Sequence, residues 1–330
     1  MQDFSIFRNK KILITGGIGF IGSNLAIRLV ELGSHLTLVD SLIPNYGGNL
    51  RNIESIKDKV KINISDVRDT HSMKYLVQDH DFLFNLAGQT SHLDSMEDPY
   101  TDLEINTHAQ LSILEACRHY NPDIKIVFAS TRQIYGKPKY LPVNESHPLN
   151  PVDVNGINKL AGEQYHLLYN NIYNIRSCIL RLTNTYGPRM RIRDSRQTFL
   201  GIWIRNLIEG KPIIIFGDGS QIRDFNFVED VVDAFLMAAQ DDLSNGKIYN
   251  LGARDKLSLT ETARLMVSLN KKGVFEFIPF PENRKNIDIG DYWADFGQIE
   301  QNLGWTPTTP LEVGLQTTLA FFKQNISDYR

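Results

Sequence analysis

The chain has 330 residues, 42% hydrophobic and 22% charged, with a formal net charge of -3. That length suits about two domains of ~150 residues, the apolar fraction is that of a soluble globular protein, and the charge gives no reason to expect nucleic acid or an anionic membrane as partner. The two cysteines, Cys117 and Cys178, lie in apolar segments and read as reduced core residues, which speaks against a disulfide or a metal site. Met1 to Asn9 lacks a continuous apolar run and nothing later approaches the ~18 residues of a membrane span, so a soluble, cytoplasmic protein is expected.

The first element is a short apolar strand, Ile12 to Ile14, that stops at Gly16 and Gly17; a helical pattern opens after Gly22. Gly16, Gly19 and Gly22 fall on G-x-x-G-x-x-G spacing. Glycine suits this turn because the backbone needs unusual dihedrals, must approach a pyrophosphate closely, and must let the helix pack on its strand. The helix N-terminus, at Phe20, Ile21 and Gly22, then offers free N–H groups to phosphate oxygens. A second apolar run, Leu36 to Val39, ends in Asp40, where a dinucleotide fold places the carboxylate that accepts from the adenosine ribose hydroxyls. A carboxylate there repels a 2′-phosphate, so NAD is favoured over NADP.

Ser41 to Asn49 is a turn-rich loop and Leu50 to Lys57 a short helix. Val60 to Ile64 is a strand that leads to Asp66 and Val67, candidates for the adenine amino group; Asp66 reads equally as the N-cap of a helix beginning near His71. Phe82 to Ala87 has the continuous apolar character of a strand buried on both faces. It ends in Ala87, Gly88 and Gln89, where small residues at the carboxyl end of a central strand let ligands approach the backbone, and Leu86 before them joins the candidate cofactor contacts. Tyr100 to His119 is a long helix holding Asn106; Ile124 to Ala129 is a strand followed by Ser130 to Gly136; Asp153 to Asn171 is a helix and Arg176 to Leu182 a strand. Strands alternating with helices predict a doubly wound parallel sheet.

Beyond Tyr186 the pattern is less regular. Helices are expected at Phe199 to Glu209, Val228 to Gln240, Leu257 to Leu269 and Leu311 to Phe322, with short strands at Pro212 to Phe216, Ile248 to Leu251 and Phe275 to Ile278. The fold class is therefore α/β: a Rossmann-type sheet over residues 1–185 with a smaller α/β lobe over 186–330, interleaved without a clean linker.

With Thr15 to Gly22, Asp40, Asp66, the Ser130 to Gly136 loop and Lys159 to Glu163, the chain resembles the extended short-chain dehydrogenase/reductases, and within them the NAD-dependent nucleotide-sugar epimerases and dehydratases. Arg181 to Arg189, Gly217 to Gln221 and Arg223 to Phe225 are similar to that family's substrate-lobe motifs. The resemblance implies tightly held NAD that oxidises a sugar hydroxyl, commonly at C4, and usually returns the hydride. Thr131 matches the residue that hydrogen-bonds the reacting hydroxyl, and Lys159 the lysine that lowers the pKa of a tyrosine base and binds the nicotinamide ribose. Asn106 enters the cofactor site by the same comparison. Asn184, Arg223, Arg284 and Asp288 match positions that hold the nucleotide diphosphate, with Arg189 and Arg191 as additions; arginine's planar fork suits a diphosphate.

Two departures stand out. The tyrosine expected four residues before Lys159 is Asn155, whose carboxamide does not titrate near neutrality and cannot act as general base. Lys159 with a depressed pKa, Asp153 through a water, Tyr100 and His92 are the alternatives. After Thr131, where the family's 4,6-dehydratases carry an Asp-Glu pair, stand Arg132 and Gln133, which disfavours ordinary dehydration; Arg132 either holds an anionic substituent or is a surface charge. The reading is an epimerase of a nucleotide-diphosphate sugar, with a net dehydrogenase, keto-reductase or atypical dehydratase as the second reading and a non-catalytic NAD-binding protein as the third. The family also implies a homodimer formed by the helices at 100–119 and 153–171.

Overall fold

The structure is a computed structural model that describes residues 2–44, 46–194 and 198–330. Its strands are β1 (Lys11–Thr15), β2 (His35–Asp40), β3 (Val60–Ile64), β4 (Phe82–Asn85), β5 (Lys125–Thr131), β6 (Ser177–Leu182), β7 (Asn184–Tyr186), β8 (Ile213–Phe216), β9 (Ile222–Phe227), β10 (Lys247–Asn250), β11 (Lys256–Ser258) and β12 (Phe275–Ile278). Seven of them form one sheet in the order β10-β6-β5-β4-β1-β2-β3, every pair parallel.

Alternation sorts the strand side chains between two covering layers. Ile12, Ile14, Phe84 and Val127 pack with Leu25 and Leu29 of the helix Phe20–Glu31 and with Phe235 of the helix Val228–Gln240. Leu13, Leu83 and Ile126 face the other way, onto Ile113, Leu114 and Cys117 of the helix Ala109–Tyr120 and Tyr169 of the helix Val154–Tyr173. The chain winds outward from β1 through β2 to β3, then returns to β4 and winds the opposite way. The direction reverses between β1 and β4, which opens a crevice above their carboxyl ends.

The smaller sheets, β11-β9-β7 and β12-β8, lie over that edge. They close on a core of Trp203, Leu207, Ile213, Phe225, Phe227, Leu315 and Phe322. Residues 186–330 are not confined to this lobe: β10 completes the large sheet beside β6 and the helix Val228–Gln240 covers it.

Several expected elements differ in detail. Leu50–Ile53 is a single tight turn. The helix near His71 is capped by Asp69, whose side chain accepts from the His71 and Ser72 N–H groups, so Asp66 is not its cap. The long helix expected from Tyr100 to His119 is interrupted: Pro99–Leu103 passes through a wider π-helical turn at Glu104–His108 before Ala109–Tyr120. Gln110 holds this turn by donating from Nε2 to the Ile105 carbonyl at 3.1 Å, while its Oε1 accepts from Asn85. Among the described residues no helix is long and apolar enough to cross a membrane. The loop residue Asn45 and the side chain of Asn283, beside Arg284, lie outside what the structure describes.

Candidate active site

The glycine turn at the end of β1 is set by space as much as by dihedrals. Gly16 has φ +67°, and a Cβ there would stand 3.0 Å from the Leu86 and Ala87 backbone; a Cβ on Gly22 would stand 2.2 Å from the Gly16 carbonyl oxygen. Side chains at these positions would push the helix off its strand. Gly19 caps that helix with no side-chain bond, which suits N–H groups reserved for an anion. At the end of β2 the Asp40 carboxylate accepts from the Ile18 and Leu42 N–H groups at 3.2 and 3.0 Å. Burial raises its pKa against those two donors.

One cavity follows this edge of the sheet. It is lined by Gly16, Gly19, Phe20, Ile21, Gly22, Asp40, Asp66, Val67, Leu86, Ala87, Gly88 and Gln89, and at its inner end by Thr131, Asn155 and Lys159. Asp66 is held by Arg68, which donates from Nε and Nη2 at 3.0 and 2.8 Å and keeps the carboxyl below its usual range. Asn106 does not border the cavity. It stands behind Gln89, donating from Nδ2 to the Gln89 carbonyl at 3.0 Å.

The inner end is built by the first turns of the helix Val154–Tyr173. Thr131 Oγ1 accepts from the Gln133 N–H at 3.2 Å. Lys159 Nζ donates to the Ala129 carbonyl at 3.1 Å and lies 4.9 Å above the Phe128 ring. Burial pushes the ammonium down to about 8, opposed by the carboxylates of Asp102 and Glu163. Glu163 itself is paired with Arg181 at 2.7 Å inside the core. Asn155 donates from Nδ2 to the Gln89 carbonyl at 2.8 Å and to Asp102 Oδ2 at 3.0 Å, while Asp102 Oδ1 accepts from Asn158 at 2.8 Å. The position that family members give to a phenol is thus a carboxamide fixed on a buried carboxylate.

A second cavity of about 680 Å³ opens toward the smaller lobe. Arg132, Asn184, Arg223, Arg284 and Asp288 line it, with Phe199, Trp203, Phe216 and Phe280 as an aromatic wall. Arg223 donates to Gln221 Oε1 at 3.1 Å and to the Gly290 carbonyl, and lies 3.7 Å from Asp288; burial lowers its pKa to about 10. The Arg284 guanidinium lies 5.3 Å from the Phe216 ring. Arg132 is no surface charge: it lines both cavities, donates from Nη1 to Asn184 Oδ1 at 3.3 Å, and has a buried Nε without a hydrogen-bond partner.

Some expected residues fall elsewhere. Arg189 borders neither cavity; its Nη1 donates to Asn24 Oδ1 at 2.9 Å and its guanidinium stacks on Phe321, so it braces the first helix against the C-terminal one. Arg191 pairs with Asp194 and donates to the Tyr46 carbonyl, supporting the loop over the first cavity without lining it. Tyr100 is 78% exposed on the outer face of its helix, away from both cavities. The aromatic wall was missed, although Phe199, Ile202 and Trp203 fall on one helical face and carried that signal. Asp102 had no signal, since its partners Asn155 and Asn158 are 53 and 56 residues away.

The first cavity suits a dinucleotide with a free ribose 2′-hydroxyl. Its floor approaches on glycine backbone, its far end presents the Asp40 carboxylate, and Gln89 Oε1 on its wall is buried without a partner. Comparison with known proteins agrees. The model of the NAD dependent epimerase/dehydratase family matches residues 12–252. A putative UDP-glucose 4-epimerase of Methanocaldococcus jannaschii is 34% identical over 316 residues, 95% of this chain and 99% of its own. The solved UDP-glucose 4-epimerase of Thermotoga maritima with UDP-glucose is 27% identical with a TM-score of 0.87, covering 96% of this chain and 99% of that one. The UDP-glucuronic acid 4-epimerase of Bacillus cereus, solved with UDP-glucuronic acid and NAD, is 28% identical with a TM-score of 0.84 over the same shares.

Proposed function

Since the chain belongs to the NAD dependent epimerase/dehydratase family, we propose that it epimerises a nucleotide-diphosphate sugar by transient oxidation of a ring hydroxyl. The observation that carries this reading is the junction of the two cavities. A crevice with dinucleotide features opens, at His92, Arg132, Asn184 and Thr198, into one lined by arginines and aromatic rings. Bound NAD supplies a reversible hydride acceptor. The chain's own residues do the rest. Gly16, Gly19 and the helix N-terminus hold the pyrophosphate, Asp40 and Lys159 the two riboses, and Asp66 and Val67 the adenine edge. Thr131 donates to the reacting hydroxyl. Arg223 and Arg284 pair with the sugar's diphosphate, the aromatic wall packs on the base, and Arg132 and Asn184 hold the sugar between them. In this division residues 1–185 bind the cofactor and most of 186–330 bind the nucleotide sugar.

Epimerisation is preferred to dehydration because Arg132 and Gln133 replace the carboxylates that elimination needs, and Gln133 is committed to Asp153 at 2.8 Å. The test is direct. Purified protein is assayed for bound NAD and then given UDP-, GDP-, CDP- and dTDP-sugars. An isomer formed with flat reduced-cofactor absorbance is the expected result; steady accumulation of reduced cofactor means net oxidation, and neither NAD nor product sinks the proposal.

The reading includes a cytoplasmic homodimer. Two buried, unpaired thiols support a reducing compartment. Ile157, Leu168 and Ile172 lie exposed along one face of the helix Val154–Tyr173, next to exposed Tyr100 and Leu103, and such an apolar stripe suits a helix-pair interface with a second copy.

A further inference from the structure

Resting on the epimerase reading, we infer that His92, oriented by Asp153, is the base that takes the proton of the reacting sugar hydroxyl. The base must reach the hydroxyl where sugar and nicotinamide meet, so it belongs to the boundary of the two cavities. Four described residues line both: His92, Arg132, Asn184 and Thr198. Of these four side chains, the imidazole alone offers a nitrogen lone pair to accept a hydroxyl proton.

The surroundings fit that duty. His92 opens the short helix His92–Glu97, and its Nδ1 lies 3.0 Å from Asp153 Oδ2 in a bent approach of the kind that substrate tightens. Asp153 is itself fixed, accepting from the Gly156 N–H at 2.7 Å and from Gln133 Nε2 at 2.8 Å. A carboxylate facing Nδ1 keeps the proton on that nitrogen and leaves the lone pair on Nε2, the ring nitrogen not turned to Asp153.

The rival groups are committed elsewhere. Lys159 donates to the Ala129 carbonyl, stands over the Phe128 ring and is assigned to a cofactor ribose. The Asp153 side chain is wholly buried. Asn155 is bound to Asp102, and Tyr100 lies outside both cavities. In the step, His92 Nε2 accepts the hydroxyl proton and the O–H bonding pair becomes the carbonyl π bond, while the carbon's hydrogen leaves with its electron pair for the nicotinamide ring. The sugar carbon is oxidised to a ketone, the nicotinamide is reduced, and the imidazolium returns its proton when the hydride comes back.

The test uses the full chain with its bound NAD. His92→Gln is expected to lower kcat for isomer interconversion by about 10²- to 10⁴-fold, with KM, NAD content and the calorimetric Kd for the nucleotide sugar within about threefold of wild type. Added imidazole restores at least tenfold of the lost rate. Asp153→Asn keeps a good helix cap and lowers kcat at unchanged KM, whereas Tyr100→Phe changes neither. Nitrogen-15 NMR of the ring shows Nδ1 protonated and Nε2 bare. A fully active His92→Gln, a loss of nucleotide-sugar affinity that accounts for the whole effect, or the opposite tautomer overturns the inference. Wild type that forms neither isomer nor ketone overturns the epimerase reading and this inference together; active wild type beside an unimpaired His92→Gln overturns the inference alone.

Discussion

Thr131 accepts one hydrogen bond from the Gln133 N–H, and this leaves its hydroxyl hydrogen free for a substrate oxygen. Thr131→Val keeps the shape and removes that donor, so kcat is expected to fall about 10- to 100-fold with bound NAD unchanged. Lys159 supplies a pH signature. Its pKa drops from an ordinary 10.5 to about 8 through burial, so between those values the unfolded chain binds the proton and the folded one does not. Stability of the cofactor-free protein therefore rises as pH climbs from about 8 to 10.5, by on the order of 3 kcal/mol, and is lost as pH falls through 8. Urea titrations should show a steeper rise in wild type than in Lys159→Met, which keeps the rise of the same sign that buried Lys125, also pushed down to about 8, contributes. The glycines, Asp40, Thr131 and Lys159 were legible because each belongs to a short local pattern. Asp102 was not, because its role arises only when two distant segments pack, and His92 stood as one alternative among four until the cavities showed which group meets both.

The strand–turn–helix that begins at β1 was readable because its constraint is local, and it is correspondingly intolerant. Gly22→Ala places a methyl 2.2 Å from the Gly16 oxygen, a clash with backbone that no rotamer relieves. The variant is expected to lose about 2–4 kcal/mol of stability and most of its bound NAD, measured by calorimetric melting and by cofactor release. The break at Glu104–His108 was hidden for the opposite reason. Apolar spacing continues through Ile105, Leu111 and Leu114, and the π-helical turn depends on Gln110 reaching both Ile105 and Asn85. Asn85 accepts in turn from Thr15 at 2.8 Å, so the irregular turn is tied to the end of β1, and propensity along the helix contains no trace of that tie.

For the molecule as a whole, a doubly wound sheet followed from alternating strands and helices, whereas the placement of β10 did not, since four residues carry no mark of the strand they will pair. The proposed dimer makes a prediction at this scale. Ile157, 54% exposed, sits within the apolar stripe, and Ile157→Glu is expected to convert a dimer to a monomer by sedimentation velocity, with melting behaviour in dilute solution close to that of wild type. The late arrival of β10 also bears on synthesis. Arg181 of β6 donates to the buried Tyr135 hydroxyl at 2.7 Å, and Tyr135 donates to Asn250 at 2.7 Å. At ~5–20 residues per second, a ribosome takes several seconds to pass from Leu182 to Asn250. Throughout that interval β6 is a bare edge able to pair with another nascent chain. The dinucleotide half is therefore not a unit that matures first; its sheet closes only after the chain has entered the other lobe and come back, and a fragment ending at residue 185 should aggregate instead of binding NAD.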